Sequence, residues 1–266
     1  MGFLILLKAY LKFYMNTKRF ISLLALYVGV SILETALIMS GILPKPDTMY
    51  SFTSGMLIGF DSSIALITGL LGGDALSKDF SREGLFTLTQ PIHRVVIMVS
   101  RYSAAILASI LIIFIATFGP ILTMSEFLYG GLVPNILSIL LMTVLFTASM
   151  LAFVMLFSAI FSNPVTSIVM AVFAVVIIMP VISGIVGSIG FEPWFLLSYS
   201  GSSISNLALQ SYPPFETTQP SSFYGSNFKL FNPPVPEAAY IMIGYLVVSL
   251  VISFFIYSRK EVRNLS

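Results

Sequence analysis

Read for its polar and apolar positions, the chain is a series of long apolar runs separated by short polar intervals. Six runs, at 20–43, 55–77, 102–124, 135–161, 165–189 and 238–258, reach the roughly 20 helical residues needed to cross a hydrocarbon core of about 30 Å. Between residues 102 and 189 the only charged residue is Glu126, which no water-facing domain could sustain. Such continuous runs predict helices, because barrel strands would appear as short alternating segments. The expectation is an all-α membrane protein, with six transmembrane helices in a single domain over 1–266.

The polar intervals differ in kind. The one from Asp74 to Arg101 carries seven charges: Asp74, Lys78, Asp79, Arg82, Glu83, Arg94 and Arg101. The long interval 190–237 holds seven of the chain's 14 prolines and its only Trp, Trp194. A flexible linker would lack aromatics, so this loop is expected to form a compact cap. In it Trp194, Tyr199, Phe215 and Phe231 bury against one another or sit at headgroup level, with short helices near 194–197 and 204–210. At the start of the chain, Lys8, Lys12, Asn16 and Arg19 recur at helical spacing opposite Leu7, Leu11, Tyr14 and Met15. Residues 1–19 therefore predict an amphipathic helix lying in the membrane interface, its lysines near anionic lipid headgroups. Lys8 and Lys12 also interrupt the apolar core that a cleavable signal peptide needs.

Charge sets the expected orientation. With both termini cytoplasmic, 11 of the 13 Lys and Arg residues fall inside and only Lys45 and Lys229 fall outside, as the positive-inside rule requires. Loop 78–101 is then cytoplasmic and loop 190–237 external.

Composition agrees with a lipid solvent and excludes several chemistries. The chain is 57% hydrophobic and 9% charged, with a mean hydropathy of +0.99. A net charge of +2, with its basic residues at membrane edges, argues against nucleic acid as a partner. The absence of Cys removes thiolate metal sites and cysteine nucleophiles, and a single His, His93, leaves little for metal or triad chemistry.

Two acids lie within the apolar runs. Glu34 and Asp61 are each expected roughly 9 to 14 Å below the outer surface, where they could share a cavity on a transport pathway. Asp61 and the Gly72-Gly73-Asp74 sequence bring paired membrane aspartates to mind, but 13 residues on one helix separate them by about 20 Å, too far for a catalytic dyad. Pro180 is expected to kink the fifth span, with Gly184 and Gly187 allowing close packing beyond it.

The charged loop carries the most specific pattern. Glu83-Gly84, an apolar stretch and then Pro91-Ile92-His93-Arg94 stand between spans two and three, and Arg101 opens the third span. This arrangement resembles the membrane subunit of ABC-2-type ATP-binding-cassette transporters. The six spans, the interfacial N-terminal helix and the large segment between spans five and six match that layout. Leu85 departs from the Thr that usually follows the Gly. The resemblance implies a coupling helix received by an ATP-binding subunit, with Asp79, Arg82, Glu83, Gly84, Pro91 and Arg94 at the partner interface. It further implies a second permease subunit, identical or not, and a location in the cell membrane, most often as an exporter.

No Gly-x-x-x-x-Gly-Lys-Ser/Thr phosphate loop occurs, so ATP and Mg are expected in the partner subunit, and this chain is expected to be neither an enzyme nor a cofactor binder. The alternative is an ion-coupled secondary carrier or channel that needs no ATPase.

Overall fold

Long apolar runs become long helices because no water is present in a bilayer to satisfy a bare backbone, and a helix satisfies its own. The computed structural model describes residues 2–80, 93–220 and 227–260. Among these, six helical stretches are long and apolar enough to cross a membrane: Lys18–Met39, Met49–Phe80, Arg94–Tyr129, Ile136–Ile160, Pro164–Ser188 and Val235–Arg259. All six agree with the runs in the sequence to within several residues, the second and third being longer.

Helix α1 (Gly2–Met15) precedes the spans, and α2 (Lys18–Met39) is the first. The second span comprises α3 (Met49–Met56), α4 (Phe60–Gly72) and a 3-10 turn at Ser77–Phe80. The third is α5 (Arg94–Ile113) continuing into α6 (Gly119–Tyr129), and the fourth is α7 (Ile136–Ile160). The fifth joins α8 (Pro164–Phe173) to α9 (Met179–Ser188). The interval before the last span holds α10 (Leu197–Asn206) and the antiparallel pair β1 (Glu216–Pro220) and β2 (Asn227–Phe231); α11 (Val235–Arg259) is the sixth span.

The fourth span is the most enclosed, packing along α11 and against α4, and the first is the most peripheral. Its closeness to α4 depends on small residues. A Cβ at Gly72 would lie 2.3 Å from Leu151 Cδ1, and one at Gly69 would lie 2.8 Å from Val172 Cγ2 on the fifth span. Gly184, expected to serve close packing, has open space around it instead.

Both spans with a proline in their interior widen just before the ring. Proline offers no N–H to the carbonyl four residues back and clashes with it, so one turn loosens to i→i+5 bonding. The π-helical turns are Phe114–Phe118 ahead of Pro120 and Ala174–Ile178 ahead of Pro180. Gly119 N–H donates to Phe114 O, and Met179 N–H to Ala174 O. The carbonyl that Pro120 leaves bare, Ala116 O, accepts from the Ser31 hydroxyl of α2, which ties the first span to the third.

Two expectations need correction. The N-terminal helix stops at Met15 rather than running to residue 19: the Thr17 hydroxyl accepts from Phe20 N–H and starts α2 as a separate helix, so Arg19 belongs to α2. α1 packs along α5, with Tyr14 buried and Lys8 and Lys12 exposed. In the interval 190–237, the helix lies at Leu197–Asn206, between the two places expected, and a β-pair follows it. Trp194 remains 62% exposed, whereas Tyr199 is buried and Phe215 meets Phe231 edge-on.

Candidate functional site at the charged end of the bundle

The described charges of this interval, Asp74, Lys78, Asp79, Arg94 and Arg101, are drawn in among the spans, because a charge at a helix end can stay ionised away from water only if it finds a partner. Asp79, in the turn after α4, has no exposed surface. Its Oδ1 lies 2.5 Å from an Arg101 nitrogen of α5, and its Oδ2 accepts from the Tyr257 hydroxyl of α11 at 2.7 Å. Arg101 also donates to Ala75 O and stacks its guanidinium 4.9 Å above the Tyr10 ring of α1. One carboxylate thus links the second, third and sixth spans, and its arginine reaches the N-terminal helix. Because Tyr10 and Tyr257 meet the same cluster, α1 and the end of α11 lie at the same end of the bundle.

The neighbouring bonds extend this knot. The backbone N–H groups of Leu76 and Ser77 both donate to Ser158 Oγ on α7, at 2.8 and 3.0 Å, so a single hydroxyl satisfies two donors at the start of the turn. Ser167 of α8 donates to Gly73 O. Asp74 receives Arg19 at 2.6 Å and Lys78 at 2.8 Å.

Two helix C-termini here are closed by cations, as the bare carbonyls and negative dipole end favour. Arg94 Nη1 lies 3.0–3.1 Å from the carbonyls of Tyr257, Ser258 and Lys260 at the end of α11. Lys260 Nζ donates to Ala159 O and Ile160 O at the end of α7 and sits 4.6 Å above the Phe80 ring. Burial lowers the Lys260 amine from the usual lysine range to about 8.

Asp79 and Arg94, expected at a partner interface, make these contacts within the chain: the carboxylate is buried against Arg101, and Arg94 caps a helix. Arg82, Glu83, Gly84 and Pro91 lie outside the described residues. The two described flanks of that segment are therefore anchored, by Asp79 on one side and by Arg94 on the other. The roles of Ser158, Tyr257 and Lys260 had no sequence signal, since each is a common residue at the end of an apolar run.

The membrane acids are handled differently. Asp61 opens α4 beneath α10, where a Cβ at Gly201 would come within 3.0 Å of Asp61 Cβ and 2.9 Å of the Phe146 ring. Glu34 sits on the peripheral α2. Neither forms an ion pair among the described residues, and no hydrogen bond between described residues joins them.

At this far end the interval 190–237 folds onto the spans. α10 contacts α7, α11, α9 and α4 and buries Leu197, Tyr199, Ser200, Gly201, Ser203 and Ile204. Asn232 ties the segment together, accepting from Asn206 and donating to Pro214 O, and Tyr245 of α11 donates to Phe195 O at 2.6 Å. The Tyr199 hydroxyl donates to Glu192 at 2.7 Å, and burial together with that carboxylate raises its pKa, holding the phenol protonated.

Fold and site together define a multi-pass helical membrane protein with a buried charge knot at one end and a folded cap at the other. Compared with known proteins, the chain matches no protein-family model and no curated protein sequence.

Proposed function

We propose that the chain is the permease subunit of an ABC-2-type transporter, an exporter of the cell membrane powered by ATP hydrolysis in a separate subunit. In this reading the charged end faces the cytoplasm, the segment 81–92 is the coupling element, and two permease subunits, alike or different, enclose the pathway. ATP and Mg belong to the partner.

The observation that supports it most is the anchoring of both flanks of that segment. Force applied to 81–92 would pass through Asp79 and Arg101 to the third and sixth spans and through Arg94 to the end of α11. A loose loop would dissipate the same force. The substrate class stays open. Glu34 and Asp61, which form no ion pair among the described residues, favour the rival reading of an ion-coupled carrier.

Co-purification separates the two readings. The tagged chain should bring down a vanadate-sensitive ATPase, and Glu83→Lys should weaken that association about 30-fold or more, the scale for losing one partner of a desolvated interfacial pair. Ion-gradient-driven transport by the purified chain alone, abolished by Asp61→Leu, would establish the carrier instead.

A further inference from the structure

A cleft of about 250 Å³ opens where the α1–α2 elbow meets α4, and nothing in the transporter reading uses it. One wall is apolar, made by Phe13, Tyr14, Leu70 and Leu71; the polar side carries Lys18, Arg19, Lys78 and a single acid, Asp74. Asp74 is only 1% exposed, while the side chains of its two partners, Arg19 and Lys78, keep 46% and 38% of their surface open. The carboxylate therefore lies beneath its cations. Lys18 adds a third positive charge and forms no ion pair among the described residues. Three cations face one recessed acid, at the point where the N-terminus of a 22-residue span contributes the positive end of its dipole.

That charge balance selects an anion, and the apolar wall selects one that carries a chain. We propose that the cleft holds the phosphate of an anionic membrane phospholipid, with its first acyl carbons against Phe13, Leu70 and Leu71. The site lies where such a headgroup would be found, at the end of the bundle where α2 enters the membrane. Its volume falls below the range of drug-sized pockets and suits a headgroup. Arg19 and Lys78 stay bound to Asp74 while offering their outer faces to the phosphate, and Lys18 closes the third side. A bound lipid would thereby brace the elbow that separates the interfacial helix from the first span.

The proposal does not depend on the transporter reading, and lipid counting by native mass spectrometry tests it on the full-length purified chain. In detergent micelles, added phosphatidylglycerol should be retained about tenfold over phosphatidylcholine. Lys18→Gln, which leaves both ion pairs of Asp74 in place, should lower that preference about fivefold, the scale for one lysine near an anionic surface. Lys8→Gln, on α1 but outside the cleft, should leave it unchanged. Equal retention of the two lipids would overturn the proposal. So would an equal effect of the Lys8 and Lys18 variants, which would mark a diffuse basic surface, or displacement of the lipid by millimolar inorganic phosphate, which would mark a free-anion site.

Discussion

The two ends of the bundle solve the same problem, polar groups at the close of apolar helices, by different means. At the charged end, a buried ion pair and cation-capped C-termini lock spans two, three, four and six to one another and to α1. At the far end, neutral hydrogen bonds and aromatic contacts fold a separate cap over the spans, and its one ion pair among the described residues, Lys229–Glu216, is exposed. Buried pairs are costly to break singly because the survivor is stranded, whereas an exposed pair is screened and nearly free to part. The ion pairs of the charged end should therefore be the costlier of the two sets to break.

The all-or-none test of this contrast is which end faces which compartment. The chain has no Cys, so single replacements report cleanly. Ser211→Cys, at the cap, should react with an impermeant thiol reagent in intact cells, and Asn16→Cys, at the elbow, only after permeabilisation. The reverse pattern would place the rigid end outside and remove the coupling argument.

Among stability effects, the largest is expected from Asp79→Ala. It strands Arg101, whose side chain is 10% exposed, and should lower the unfolding free energy by about 3 to 5 kcal/mol. Adding Arg101→Met should recover much of the loss in a double-mutant cycle measured by denaturant unfolding in micelles. Additive losses would mean that the pair does not act as one.

Ser158→Ala comes next. It leaves the buried N–H groups of Leu76 and Ser77 without their acceptor, an expected cost of about 1 to 3 kcal/mol in the same assay. Faster hydrogen exchange at those two amides should accompany it. At the other extreme, Glu216→Gln should change stability by less than about 1 kcal/mol, because both partners of its ion pair are more than two-fifths exposed. A loss at Glu216 as large as that at Asp79 would erase the contrast between the ends.

Much of the layout was legible in the chain because lipid imposes a simple rule: a helix crossing it must be long and apolar, so composition alone marks the spans. Pro180 announced a disturbance in the fifth span for a similarly local reason, and the π-helical turn before it is the form that disturbance takes. The charged interval also announced itself, since seven charges in so apolar a chain must gather somewhere. Where each charge went was not legible. The resemblance implied a partner interface for Asp79, whereas its partners within the chain, Arg101 and Tyr257, lie 22 and 178 residues away.

The sequence by itself therefore determined the number of long apolar helices, the disturbance at Pro180 though not the one at Pro120, and the gathering of charges at 74–101. Each of these follows from the free energy of transferring a residue from water to lipid, which depends on that residue and its near neighbours. The tertiary structure alone decided which acid pairs with which base, that Thr17 divides the N-terminal helix from the first span, and that Ser158 and Lys260 serve as caps for other segments. Those outcomes depend on which helix ends meet in space, and glycine contacts such as Gly72 against Leu151 set that meeting at separations no sequence window spans.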